Sequence, residues 1–217
     1  MKKPIKMKKE SLIILISLIT FTSSAQQDPE ALKVLSEFSK RATSAPSVSI
    51  DFTLVTDDSR NGDIASIDGS VVLHGDMFVL TLPENNVWTD GKTVWSYLPD
   101  MNEVTITEND PDDESFISRP SLLFTMYKEG YKVRLIEQTP KEWIIDLYPE
   151  DIAGDMIRMR LMIGKQNYAL NGAEYKSKDG ISVTLTSQKY DITFKPGAEF
   201  FTFNPADHKG IDVIDMR

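Results

Sequence analysis

Beyond residue 47 the apolar residues recur at every second position, in short runs cut by turn signals, and nothing else in the chain restricts its fold as strongly. Val48, Ile50, Phe52 and Leu54 alternate with polar residues up to the turn sequence TDDSRNGD, and Ile67, Val71 and Leu73 alternate after it. A period of two is the signature of a strand with one buried face. MFVLTL (77–82) follows, then TDGKTVWSYLPDMNEVTI (89–106), which holds a turn at Asp90-Gly91 and another at Pro99-Asp100. YKVRLIE, EWIIDLY, MIRMRLMI, YALNGAEY, ISVTLTS and FFTF continue the series, with Asn171-Gly172 and Asp179-Gly180 among the turn residues. Ten or eleven successive antiparallel strands predict a strongly curved sheet or barrel.

Two segments depart from this period. Asp28 suits a helix N-cap and Pro29 the first helical position; Ala31, Leu32, Leu35, Phe38 and Ala42 then recur at helical spacing. They predict one amphipathic helix of about four turns, ending before Pro46. Between 109 and 129 the acidic NDPDDE leads into Ser118-Arg119-Pro120, where a second helix is expected. It would carry Leu122, Leu123, Phe124, Met126 and Tyr127, apolar nearly all the way round and therefore packed on more than one side.

The first residues bear on destination. Five lysines between Lys2 and Lys9 precede the apolar run LIILISLITF (12–21) and then Ser23-Ser24-Ala25. That order matches a secretory signal cleaved after Ala25, and the apolar run is shorter than the roughly 20 residues of a membrane span. Residues 1–25 are read as the leader and residues 26–217 as one domain. The leader holds five Lys and one Glu, which leaves 19 basic against 32 acidic residues in the mature part. Phosphate backbones are bound through Lys and Arg, so a surface of this charge argues against nucleic acid as a partner. Cysteine is absent, which removes disulfides, thiol nucleophiles and Cys-based metal sites.

Signals for chemistry are sparse. His74 and His208 are the two histidines, and neither sits in a nucleophile motif. Asp110, Asp112, Asp113 and Glu114 cluster without the Asp-x-Asp-x-Asp-Gly spacing of a calcium loop, and Asp57-Asp58 lies in a turn sequence. No Gly-rich phosphate loop occurs. No enzyme activity, catalytic residue, metal or cofactor is expected.

What the chain has in supply is apolar surface. MFVLTL and EWIIDLY carry large apolar groups at both even and odd positions, which implies cover on both sides or a cavity on one. Met77, Met126, Met156, Met159 and Met162 add adaptable side chains. In the 89–106 hairpin, Trp95 and Tyr97 share one face while Val94, Ser96 and Leu98 share the other.

DGKTVWSYLPDMNEVTI resembles the Asp-Gly-Lys-x-Leu/Val-Trp-x-Tyr-x-Pro segment of the LolA family of periplasmic outer-membrane lipoprotein carriers. FFTFNPADHKGIDVID resembles that family's ending, Phe-x-Phe-x-Pro-Pro-x-Gly-Val-x-Val, through Phe201, Phe203, Pro205, Gly210 and Val213. The order of leading helix, strands, helical interruption and further strands runs parallel over nearly the whole mature chain. The resemblance implies an incomplete antiparallel β-barrel of about 11 strands closed by a helical lid, with an apolar interior that shields acyl chains. It implies a monomeric periplasmic carrier whose cargo is an acylated lipoprotein, taken from an inner-membrane lipoprotein-releasing complex and passed to an outer-membrane acceptor. Carriage of another amphiphile, a glycolipid or pigment lipid, and a sensor or regulatory role on the same fold are the alternatives. Two departures bear on these. The family's Arg-Pro, whose Arg ties barrel to lid, is replaced by His74-Gly75-Asp76, and Ala206 stands for the second Pro of the ending, with two extra residues before Gly210.

On this reading the cavity-lining residues are Phe52, Leu73, Val79, Trp95, Tyr97, Leu122, Phe124, Ile157, Met159 and Leu161, assigned from alternation. A slip of one residue in any strand would turn its members to the other face.

Overall fold

The computed structural model describes residues 27–110, 116 and 118–217. The expected signal peptide and most of the acidic run, Asp112, Asp113 and Glu114, lie outside the described residues.

The expected helix is α1, Pro29–Ser44. Asp28 caps it as the sequence predicts: its side chain accepts from the backbone N–H groups of Glu30 and Ala31. Ala31, Val34, Leu35, Phe38, Ser39 and Ala42 form its buried face. Twelve strands follow among the described residues: β1 Val48–Asp58, β2 Asp63–His74, β3 Met77–Thr81, β4 Asn86–Thr89, β5 Thr93–Leu98, β6 Glu103–Glu108, β7 Tyr131–Gln138, β8 Glu142–Pro149, β9 Met156–Gly164, β10 Leu170–Ser177, β11 Ile181–Asp191 and β12 Asp212–Asp215. They make one open sheet in the order β12-β6-β5-β4-β3-β2-β1-β11-β10-β9-β8-β7. Every pair is antiparallel except β12 with β6.

The sheet is curved because of what it buries. Residues from β3 (Phe78) to β8 (Ile145, Leu147) join one core with α1. These strands stand six places apart, roughly 29 Å if the sheet were flat. A helix is only about 10–12 Å across. One helix can cover both halves only if the sheet wraps it. Gly69 shows how tightly the inner face is filled: a Cβ there would come within 2.8 Å of the Phe52 ring and 2.6 Å of Leu82.

α1 is secured at both ends. Before it, Asp28 donates its backbone N–H to the Val133 carbonyl at 3.3 Å and accepts from Leu135 N–H at 3.2 Å, while Gln27 exchanges hydrogen bonds with Tyr131 and Val133. The edge of β7 is thus occupied by the segment that starts the helix, which removes a row of open strand groups. In the last turn, the Arg41 guanidinium lies 5.0 Å from the centre of the Tyr168 ring.

Two expectations are corrected. The segment after Pro120 forms two 3-10 turns, Pro120–Phe124 and Met126–Lys128, instead of a helix. Thr125 sits between them at φ −125° and breaks the winding, and so short a stretch gains little from helix propagation. FFTF is not a strand either: Ala198–Phe201 is a 3-10 turn, and the last strand is β12.

Candidate functional site: two apolar faces with different covers

Register divides the ten expected cavity residues, because residues directly paired across strands lie on the same side of a sheet. Ile50 pairs with Val71, Val48 with Leu73, Leu73 with Phe78, and Leu80 with Val87. These belong to the core beneath α1, the inner face. On the other half, Ala173 pairs with Leu161, Tyr175 with Met159, Ile145 with Leu161, and Val133 with Leu147. Phe52, Leu73, Met159 and Leu161 are therefore inner-face residues, each at most 5% exposed. Phe124 joins them from above, its ring 5.3 Å from that of Phe38 on α1. Leu122 is half-buried in the same 3-10 turn.

Val79, Trp95 and Tyr97 point the other way. Val79 pairs with Val72 and Trp88, Trp88 with Trp95, and Tyr97 with Val104, all out of phase with the inner-face residues. The expectation that they share one lining with Phe52 and Leu73 is corrected by this register. The outer face has its own cover, the chain after β11. Phe203 is 4% exposed and packs on Trp88 and Tyr97 with ring centres 5.2 and 5.7 Å apart. His208 closes the stack, 4.4 Å from Tyr97 and 4.8 Å from Phe203. Phe201, 2% exposed, lies 6.3 Å from His74.

Ile157 is the last correction. The ladder between β9 and β10 slips where Lys176 pairs with Arg158 and Ser177 with Met156, so Ile157 has no partner in the register. A bulged residue is lifted from the pleat, and Ile157 is 43% exposed.

EWIIDLY is apolar chiefly on its inner face, with Ile144, paired to Met162, as the outer face's aliphatic residue. Trp143, Ile145 and Leu147 point inward, while Asp146 sits on the outer face at 1% exposure. Arg160 grips it with Nε at 2.6 Å and Nη2 at 2.9 Å, and the Tyr148 hydroxyl donates at 2.9 Å. Arg158 reaches it at 3.5 Å and holds Glu174 at 2.5 Å. Burial pushes the Asp146 pKa up, but the hydrogen bonds from Arg160 and Tyr148 and the charges of Arg158 and Arg160 outweigh it, so the carboxyl is held below its ordinary value. This network, like the burial of Phe201 and the stack of Phe203 and His208 on Tyr97, was not foreseen from sequence. The alternation of Arg158 and Arg160 opposite Asp146 was the signal that could have found it.

At the place where the resemblance implies a barrel-to-lid arginine, His74 makes a different tie. Its Nδ1 donates to the Pro46 carbonyl, 2.6 Å away, just beyond the end of α1. One ring thus touches the exit of the helix and the aromatic tail.

Chemically the site offers apolar contact. Among the described residues no cluster of three or more metal-ligating side chains occurs, and no helix is long and apolar enough to cross a membrane. Two open clefts occur, of about 550 Å³ beside Gln27, Asp28, Arg134 and Leu135 at the start of α1 and of about 410 Å³ beside Lys92, Glu108 and Arg217. The apolar interior is filled by its own side chains, with Leu35, Phe38, Ile145, Leu147 and Leu161 all below 2% exposure.

An open antiparallel sheet curled round one helix and two 3-10 turns is an incomplete barrel with a helical lid. The family model described as outer membrane lipoprotein carrier protein LolA matches residues 20–146, more than half of the chain, and the protein belongs to this family. Among solved structures it is similar to an uncharacterized conserved protein from Thermus thermophilus, with 13% identity and a TM-score of 0.56 over 86% of this chain and 99% of that one. It is also similar to a LolA superfamily protein from Nitrosomonas europaea (12% identity, TM-score 0.42, 80% and 97% covered) and to the Mycobacterium tuberculosis lipoprotein LppX (15% identity, TM-score 0.43, 77% and 98% covered). No curated protein matches the chain.

Proposed function

We propose that the protein is a periplasmic carrier, not an enzyme, which shields the acyl chains of a lipoprotein between the inner face and its lid. On this reading residues 1–25 are a leader removed on export, and residues 26–217 form the lipid-binding domain. It would take cargo from an inner-membrane releasing complex and surrender it to an outer-membrane acceptor. The observation that carries the reading is the cover of the inner face. That cover is one helix and two short turns, not a second sheet, in a chain of the lipoprotein-carrier family.

Since the interior is packed, cargo enters only if α1 or the 120–128 segment moves aside. The energetics allow this. Burying acyl chain gives roughly 0.8 kcal/mol per methylene, so a 16-carbon chain offsets on the order of 10 kcal/mol of opening. Reclosure of the lid on its own core, with Phe38 against Phe124, then assists release.

Leu122 is the residue to test first, because it is half-buried in the lid and tolerates change better than the fully buried core. Leu122→Glu places a carboxylate where chain must pass, and affinity for a fluorescent acyl probe is expected to fall at least tenfold. Glu150→Lys, at an exposed turn, should leave it unchanged. Equal binding by both variants would place the cargo elsewhere.

A further inference from the structure

Almost every buried polar side-chain atom in a folded protein has a hydrogen-bond partner, and leaving one without a partner costs about 1–3 kcal/mol. Three such atoms here have none among the described residues: Asn86 Oδ1, Arg158 Nε and the Tyr190 hydroxyl. Two lie on the outer face, across the sheet from the lid. Asn86 lies on the outer face opposite Tyr97, and Arg158 already spends both terminal nitrogens on Asp146 and Glu174.

Tyr190 is different. It pairs with Ile50, which is 2% exposed and faces α1, and its ring packs against the main apolar core. Its hydroxyl is fully buried although the residue lies one position from the end of β11, at the rim of the sheet. Burial pushes its pKa well up, so it stays a phenol, able to donate one hydrogen bond. An acyl chain is apolar except where it joins its carrier, and that junction is an ester or amide carbonyl, an acceptor. A chain laid along the inner face from the rim would bring such a carbonyl to the strand end.

We propose that Tyr190 is a specificity-determining residue of the carrier site: its hydroxyl donates to the ester or amide carbonyl of the cargo, so that the protein prefers acyl-linked amphiphiles over those with a plain hydrocarbon or ether junction. This rests on the carrier reading. It adds a polar contact to a site otherwise described by apolar burial, and it accounts for a donor that the fold leaves unused.

The test compares monopalmitoylglycerol with its ether counterpart, 1-O-hexadecylglycerol, which differs by the carbonyl. Each displaces a fluorescent hydrocarbon probe from the full mature chain. The wild type is expected to bind the ester about tenfold more tightly than the ether, a difference of about 1.4 kcal/mol. Tyr190→Phe keeps the ring and removes the donor. It should abolish that preference by weakening the ester alone, while its melting temperature stays equal to or above that of the wild type. An unchanged ester-to-ether ratio in Tyr190→Phe, or an equal loss for both ligands, overturns the assignment while leaving the carrier reading intact. If the wild type binds neither amphiphile, the carrier reading itself fails and takes this inference with it.

Discussion

Replacing Asp146 by Ala is expected to cost about 3–5 kcal/mol of stability, the usual effect of removing one partner from a buried ion pair. The carboxylate is 1% exposed and holds Arg160 through two hydrogen bonds, with Arg158 and Tyr148 beside it. Without it two guanidinium groups on β9 keep their place but lose their shared counter-ion. Urea denaturation at pH 7 measures the loss. The same residue sets a pH dependence. Its folded pKa lies below the unfolded value of about 3.9, so its contribution is complete above that pH and is lost as pH falls through the folded value. The gap between wild type and Asp146→Ala should therefore be widest at neutral pH and shrink in acid below about pH 4. A gap of the same size at pH 7 and pH 3 would show that the ion pair is not what stabilises β8 against β9.

Phe203→Ala is the second large effect, and it separates the two faces. Deleting a buried Phe typically costs about 3–5 kcal/mol. Here the loss falls on the tail that covers Trp88, Trp95 and Tyr97. The expected result is local release: red-shifted emission from Trp88 and Trp95 and faster proteolysis after β11. Trp143, stacked on Tyr168 at 5.2 Å on the inner face, stays as it was. Acyl-probe affinity should stay within about twofold, since the proposed acyl site lies across the sheet. Loss of probe binding with an undisturbed tail would mean that the outer face, with Trp95 and Tyr97, is where cargo sits.

These two results bear on how much of the molecule the sequence discloses. α1 was legible because Asp28, Pro29 and the spacing of Leu35, Phe38 and Ala42 agree at every level. β1 was legible because Asp51 and Thr53 leave no doubt which side of Val48, Ile50 and Phe52 is buried. The phase of β3 was not, since Met77, Val79, Phe78 and Leu80 are all apolar and local alternation cannot choose between them. The choice is made at a distance, by the pairing of Val72 with Val79 and of Leu73 with Phe78. Trp95 and Tyr97 inherit it through Trp88 and Asn86. The hairpin of 89–106 thus pointed correctly to the family while its aromatic pair turned out to face the tail. Ile157 was lost to a bulge that no pattern announces, and the orphaned Tyr190 hydroxyl becomes visible only once the fold surrounds it.

Lipoprotein carriage is tested most directly by native mass spectrometry of the protein purified from the cells that make it, with extraction of whatever it holds. The expected result is a chain beginning at Gln26 with one acylated lipoprotein bound at one-to-one stoichiometry, and loss of that cargo in Leu122→Glu. A chain that carries no amphiphile and takes up no acyl probe would contradict it. Bound free lipid with no protein attached would keep the apolar site and overturn the lipoprotein as its cargo.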